Sequence, residues 1–180
     1  VLTISHFPRK KPIPNYKDID LREELPGEDT STGSVSFGRA THFSQLRTHQ
    51  VLSDWGAEAC ENTLKHPRVN QLIKSIENFD LLITESFKTD CFYAISHKFQ
   101  IPTIAFSSCV FLPWTPGRVG NPDNPSYIPI EFAESFDQTI FIERLLNTFW
   151  YSFHKLASKI SMDWRVHRIA RKYFDEALPS

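Results

Sequence analysis

The hydrophobic pattern of this chain switches several times between strand-like runs and helical spacing. Val1-Leu2-Thr3-Ile4-Ser5 reads as a strand. The next segment, His6 to Ile19, holds three prolines that fix φ and remove amide donors, so it is expected to be an extended surface connector. Residues 20–38 are polar and turn-rich and predict a long excursion rather than a domain boundary. From Thr41 to about Leu64, Phe43, Leu46, Val51, Leu52, Trp55 and Ala59 fall near helical spacing, with a break expected at Gly56. A shorter helix follows in "HPRVNQLIKSIEN", with Pro67 in its first turn and Val69, Leu72, Ile73 and Ile76 on one face.

Phe79 to Thr84 lacks polar alternation and predicts a strand covered on both faces. A helix capped by Thr89 or Asp90 should run to about Phe99, and Ile101 to Phe106 should form a second buried strand. Strand, helix and strand at this spacing make a right-handed βαβ unit with parallel strands, so the fold class is α/β. In open parallel sheets ligands sit beyond the carboxyl ends of the strands, where Glu85, Asp90, Ser107 and Ser108 fall.

The loop "CVFLPWTPGRVGNPDNPSYIP" has five prolines, and Phe111, Trp114 and Tyr127 are its candidate pocket walls, with plain packing as the competing role. A helix over about Asp137 to Ile160 should then bury Ile142, Leu145, Leu146, Phe149, Phe153, Leu156 and Ile160. Arg165, Arg168, Arg171 and Lys172 read as a solvated helix face.

Composition narrows the function classes. A chain of 180 residues suits one globular domain. With 20 basic against 21 acidic residues, no global charge draws it to nucleic acid or an anionic membrane. No apolar stretch reaches the roughly 20 residues of a membrane-spanning helix. Cys60, Cys91 and Cys109 fit no metal or redox spacing and are read as small core residues. The chain lacks a G-x-G-x-x-G fingerprint, a Walker loop, a G-x-S-x-G elbow and an H-E-x-x-H pair, which sets a nicotinamide-dependent reductase low. Seven histidines are scattered, and His42 and His49, seven apart, have no ordered third partner for a metal. Asp90 has two readings: a carboxylate favoured by the amides of a helix start, or one that accepts a hydrogen bond from a histidine acting as general base. Glu85 competes for the second role.

The stretches "PIPNYKDIDL", "FDLLITESFKTDCF", "HKFQIPTIAFSS" and "GNPDNPSYIP" followed by "FIERLLNT" resemble the acceptor-binding half of the UDP-glycosyltransferases, insect type. The resemblance implies a two-domain GT-B enzyme with Rossmann-like halves, of which residues 1–180 form part of the amino-terminal one. The first strand and helix and the UDP-sugar domain are expected to lie outside this chain, which alone is expected to be inactive. It further implies transfer of a hexose, glucose foremost, from a UDP-sugar co-substrate to a hydroxyl of a small lipophilic acceptor, with inversion and with neither metal nor cofactor. Asp90 of "TDCF" matches the carboxylate that orients the family's histidine base, while against vertebrate members the strand-end acid falls nearer Glu85. His6 sits where the family has its second strand and is not cast as the base. Location at the lumenal side of the endoplasmic reticulum membrane, through an anchor outside this chain, is also implied. The alternative is a non-catalytic module that holds hydrophobic ligands.

Overall fold

A computed structural model describes residues 1–22, 42–131, 137 and 139–174; most of the 20–38 excursion lies outside them. Strand β1 (Leu2–Ser5) pairs in parallel with β2 (Lys17–Asp20), Leu2 opposite Lys17 and Ser5 opposite Asp20. The predicted connector therefore ends in a strand. "KDID" carries a single apolar residue, the buried Ile19, too little to register as a strand pattern. Asn15, at φ 61°, makes the turn that brings Lys17 back beside Val1.

Helix α1 (His42–Lys65) runs through Gly56 without a break. The glycine is needed for close approach: a Cβ there would lie 2.2 Å from the Lys88 carbonyl oxygen. Helix α2 (Pro67–Ile73) buries Val69, Leu72 and Ile73 as its spacing predicts, but Ile76 lies past its end and is exposed.

The strand, helix and strand form with parallel strands as read, over shorter ranges: β3 (Leu82–Glu85), α3 (Tyr93–Phe99) and β4 (Thr103–Phe106), with Glu85 opposite Phe106. Helix α3 starts later than expected. Thr89 Oγ1 accepts the Cys91 amide and the Asp90 carbonyl accepts the Tyr93 amide, so a turn precedes the helix and neither side chain caps it. Nor is the sheet covered on both faces: Ile83, Ile104 and Phe106 on one face are exposed, while Leu82, Thr84, Thr103 and Ala105 on the other are half-buried.

Helix α4 (Phe141–Ala157) passes into a π-helical stretch, Ser158–Asp163, and then α5 (Trp164–Ala170). Its expected core stripe is inverted. Ile142, Leu145, Phe149, Leu156 and Ile160 are exposed, Leu146 and Phe153 are half-buried, and Asn147, Tyr151 and His154 form the buried face. Asn147 and His154 on that face are held by partners distant in sequence, which local spacing does not register. On α5, Arg165 and Lys172 just beyond it pair with Asp54 (2.5 Å) and Glu61 (2.9 Å) of α1, so the basic run is in part an inter-helix seam.

The cysteine reading is corrected most plainly. Cys60 of α1 and Cys91, both buried, form a disulfide with a sequence separation of 31, and only Cys109 is a free thiol. The pairing joins two segments whose proximity is a product of the fold, which spacing rules do not reveal.

Candidate functional site

Three segments converge beyond the carboxyl ends of β3 and β4: residues 86–92 before α3, the proline-rich loop after β4, and the π-helical stretch. Trp114 anchors the second to the first. Its ring is buried and its Nε1–H donates to the Phe87 carbonyl at 3.0 Å. A 3₁₀ turn, Pro116–Arg118, then brings Arg118 against Asp90. Further along, Asn147 of α4 pins the loop: its Oδ1 accepts the Ile130 amide at 3.0 Å, and its Nδ2 donates to the carbonyls of Pro125 (2.6 Å) and Ile128 (2.8 Å). Lys155 adds an ion pair to Asp123 at 3.2 Å.

The loop and the end of β4 line a half-open cavity of about 460 Å³, walled by Phe106, Ser107, Phe111, Pro113, Ile130 and Tyr151 among others, with Cys109 also on its lining. Its size and apolar character suit a small lipophilic molecule. Of the three aromatic residues singled out in the sequence, Phe111 lines this cavity, while the buried Trp114 and the exposed Tyr127 are not on its lining. Neither Glu85 nor Asp90 lines it; Glu85 ends β3 opposite Phe106, and Asp90 follows five residues later in the segment before α3.

The two acids have different surroundings. Glu85, the last residue of β3, is exposed and accepts a hydrogen bond from Ser108 Oγ at 2.5 Å. Asp90 is half-buried, and its Oδ2 meets Arg118 Nε; a second guanidinium nitrogen of Arg118 reaches Asp163 Oδ1 at 2.5 Å. Burial pushes Asp90 up to about 6, the Arg118 cation opposes the rise and the Asp163 anion adds to it. Burial also raises Asp163. Thus Asp90 changes charge near the acidic side of neutrality, where a carboxylate partner to a histidine must be ionised to work. Arg118 and Asp163 were not readable from the sequence, since no local pattern links them to Asp90.

His6, just after β1, is lowered by burial, with Asp20, Arg22 and Lys88 around it. His49 and His154 lie buried together, ring centroids 5.6 Å apart, with His49 Nε2 3.2 Å from Ser161 Oγ and His154 Nε2 2.9 Å from Gln45 Oε1. The His42 side chain lies outside the described residues. Among the described residues no group of three or more histidine, cysteine or acidic side chains could hold a metal ion. No described helix is long and apolar enough to cross a membrane.

Residues 15–174 match the family described as UDP-glucoronosyl and UDP-glucosyl transferase. The chain is 33% identical to UDP-glycosyltransferase UGT5 of Dactylopius coccus over 177 residues, covering 97% of this chain and 34% of that protein. It is 29% identical to UDP-glucosyltransferase 2 of the same insect, covering 99% and 34%, and 27% identical to UDP-glucuronosyltransferase 3A1 of Xenopus laevis, covering 92% and 25%. It thus spans about a third of the length of the curated insect relatives. No solved structure matches it. By the match over residues 15–174 and by these relatives, the chain belongs to the UDP-glucoronosyl and UDP-glucosyl transferase family.

Proposed function

We propose that the full-length protein carrying this chain transfers a hexosyl group, glucose foremost, from a UDP-sugar to a hydroxyl of a small lipophilic acceptor. The observation that carries this reading is the mainly apolar cavity of about 460 Å³ at the carboxyl end of β4, where Phe106 on its lining stands opposite Glu85. The acceptor lies in that cavity with its hydroxyl toward the sheet edge. A histidine from the longer protein takes the hydroxyl proton, and Asp90, ionised, accepts a hydrogen bond from that histidine and stabilises its cation. The acceptor oxygen bonds to the anomeric carbon as the bond to UDP breaks, which inverts that carbon. Glu85 is the competing carboxylate. The UDP-sugar is a co-substrate held by a second Rossmann-like domain of a GT-B enzyme, and no metal or cofactor takes part.

The buried Cys60–Cys91 disulfide supports an oxidising compartment, in line with the lumenal side of the endoplasmic reticulum. Membrane attachment would come from an anchor elsewhere in the longer protein.

The test is UDP release by the full-length protein given UDP-glucose and a panel of lipophilic phenols and alcohols. Acceptor-dependent release that Asp90→Asn abolishes and Glu85→Gln leaves in place is the expected result. Acceptor binding with no release by a full-length protein would identify a ligand-holding module instead. Loss with Glu85→Gln alone would move the carboxylate role to Glu85 and leave the activity standing.

A further inference from the structure

We propose that Arg118, backed by Asp163, is a positioning residue that fixes both the orientation and the ionisation of Asp90. This inference rests on the reading of Asp90 as the carboxylate partner of a histidine.

All three guanidinium nitrogens of Arg118 have separate work. Nε meets Asp90 Oδ2, Nη2 meets Asp163 Oδ1 at 2.5 Å, and Nη1 donates to the Trp114 carbonyl at 3.2 Å. A planar fork held at three points has little freedom to turn, so the carboxylate it grips is held with it. Arg118 takes Oδ2, which leaves Oδ1 as the oxygen for a histidine N–H. The base of the fork is itself fixed, because the Arg118 amide donates to the Thr115 carbonyl in the 3₁₀ turn and Thr115 is buried.

Asp163 ends the π-helical stretch, a form that occurs mostly as short departures from α-helix and frequently at functional sites. Here it places a carboxylate against the far side of the guanidinium. Two anions share one cation, so the arrangement carries opposed electrostatic effects on Asp90: Arg118 favours its charged form and Asp163 disfavours it. The remaining charges nearby act elsewhere. Lys159 faces Asp163, and Lys88 interacts with Glu58 and Glu85.

The two partners therefore predict shifts of opposite sign, which a loss of packing would not produce. In the full-length enzyme, with kcat/KM measured against pH, Arg118→Met should move the acidic limb up by about one unit, and Arg118→Lys should bring it back toward wild type. Asp163→Asn should move the limb down. Limbs that stay at the wild-type position in Arg118→Met and Asp163→Asn, with Asp90→Asn inactive, would overturn the inference and leave the Asp90 reading intact. If Arg118→Met does not fold, Asp163→Asn decides: a downward shift supports the inference and no shift overturns it. Transfer that survives Asp90→Asn would instead sink the Asp90 reading, and this inference with it.

Discussion

Asn147 and Ile130 are joined by a buried hydrogen bond in which the asparagine Oδ1 holds the loop amide at 3.0 Å, while its Nδ2 serves two further loop carbonyls. One side chain thus satisfies three backbone groups of a proline-rich segment. The stretch "GNPDNPSYIP" followed by "FIERLLNT" accordingly has a physical link: the loop supplies backbone groups and the helix supplies the asparagine that satisfies them. Asn147→Ala should strand those groups and cost about 2–4 kcal/mol. Urea unfolding would measure it; a change below about 0.5 kcal/mol would mean that water fills the gap without loss.

Gly56 tests the join between α1 and the segment bearing Asp90. A methyl group there would meet backbone, which cannot rotate away, at 2.2 Å from the Lys88 oxygen. Gly56→Ala removes a helix-weakening glycine, worth up to about 1 kcal/mol, but the clash should win and destabilise by about 1–3 kcal/mol net. Because Lys88 lies two residues before Asp90, transfer by the full-length enzyme should fall as well. A stabilised, fully active Gly56→Ala would show that the segment can shift freely.

How much of this was legible in the chain depends on where the determining interaction lies. The β3-α3-β4 unit was readable because apolar runs and helical spacing are local properties, and the strands pair in parallel as their spacing required. Strand β2 was hidden, since "KDID" earns its place through β1 and one buried isoleucine. The face of α4 was read backwards: its apolar residues outnumber its buried ones, while Asn147 and His154 go inside because residues far along the chain satisfy them. At the site, Glu85 and Asp90 were legible as acids following a strand. Arg118 and Asp163 reach Asp90 only through a 3₁₀ turn and a π-helical stretch, neither of which leaves a readable spacing.

The Cys60–Cys91 bond closes a loop with a separation of 31 residues. In the chain-entropy account, a loop of that size contributes about 3.5 kcal/mol by restricting the unfolded state. Cys60→Ser with Cys91→Ser should therefore lower Tm markedly, and dithiothreitol should lower that of the wild type but not of the double variant. Equal melting of the wild type with and without reductant, after mass spectrometry has confirmed reduction, would show that the bond adds nothing to the fold. Since Cys91 adjoins Asp90, reduction should also slow transfer by the full-length enzyme.

The burial of His154 gives the fold's stability a pH dependence. Burial, with the neighbouring His49 adding to it, lowers this ring from 6.5 to about 4. The unfolded chain therefore takes up a proton as pH falls below 6.5 while the folded chain does so only near 4. Stability contributed by the neutral ring is complete above 6.5, is lost across that window and levels off below it. Asp90 runs the other way: raised from 3.8 to about 6, it binds its proton more tightly when folded, so its contribution grows as pH falls through 6 and is lost as pH rises through that value. The two slopes partly cancel between pH 4 and 6, and single variants should separate them. His154→Gln should flatten the acid-side loss of unfolding free energy, and Asp90→Asn should steepen it, judged by slope because each change also alters packing. Urea titrations at pH 7.5, 6 and 5 would read both, and a His154→Gln protein that loses as much stability toward acid as the wild type would place the acid sensitivity at other groups.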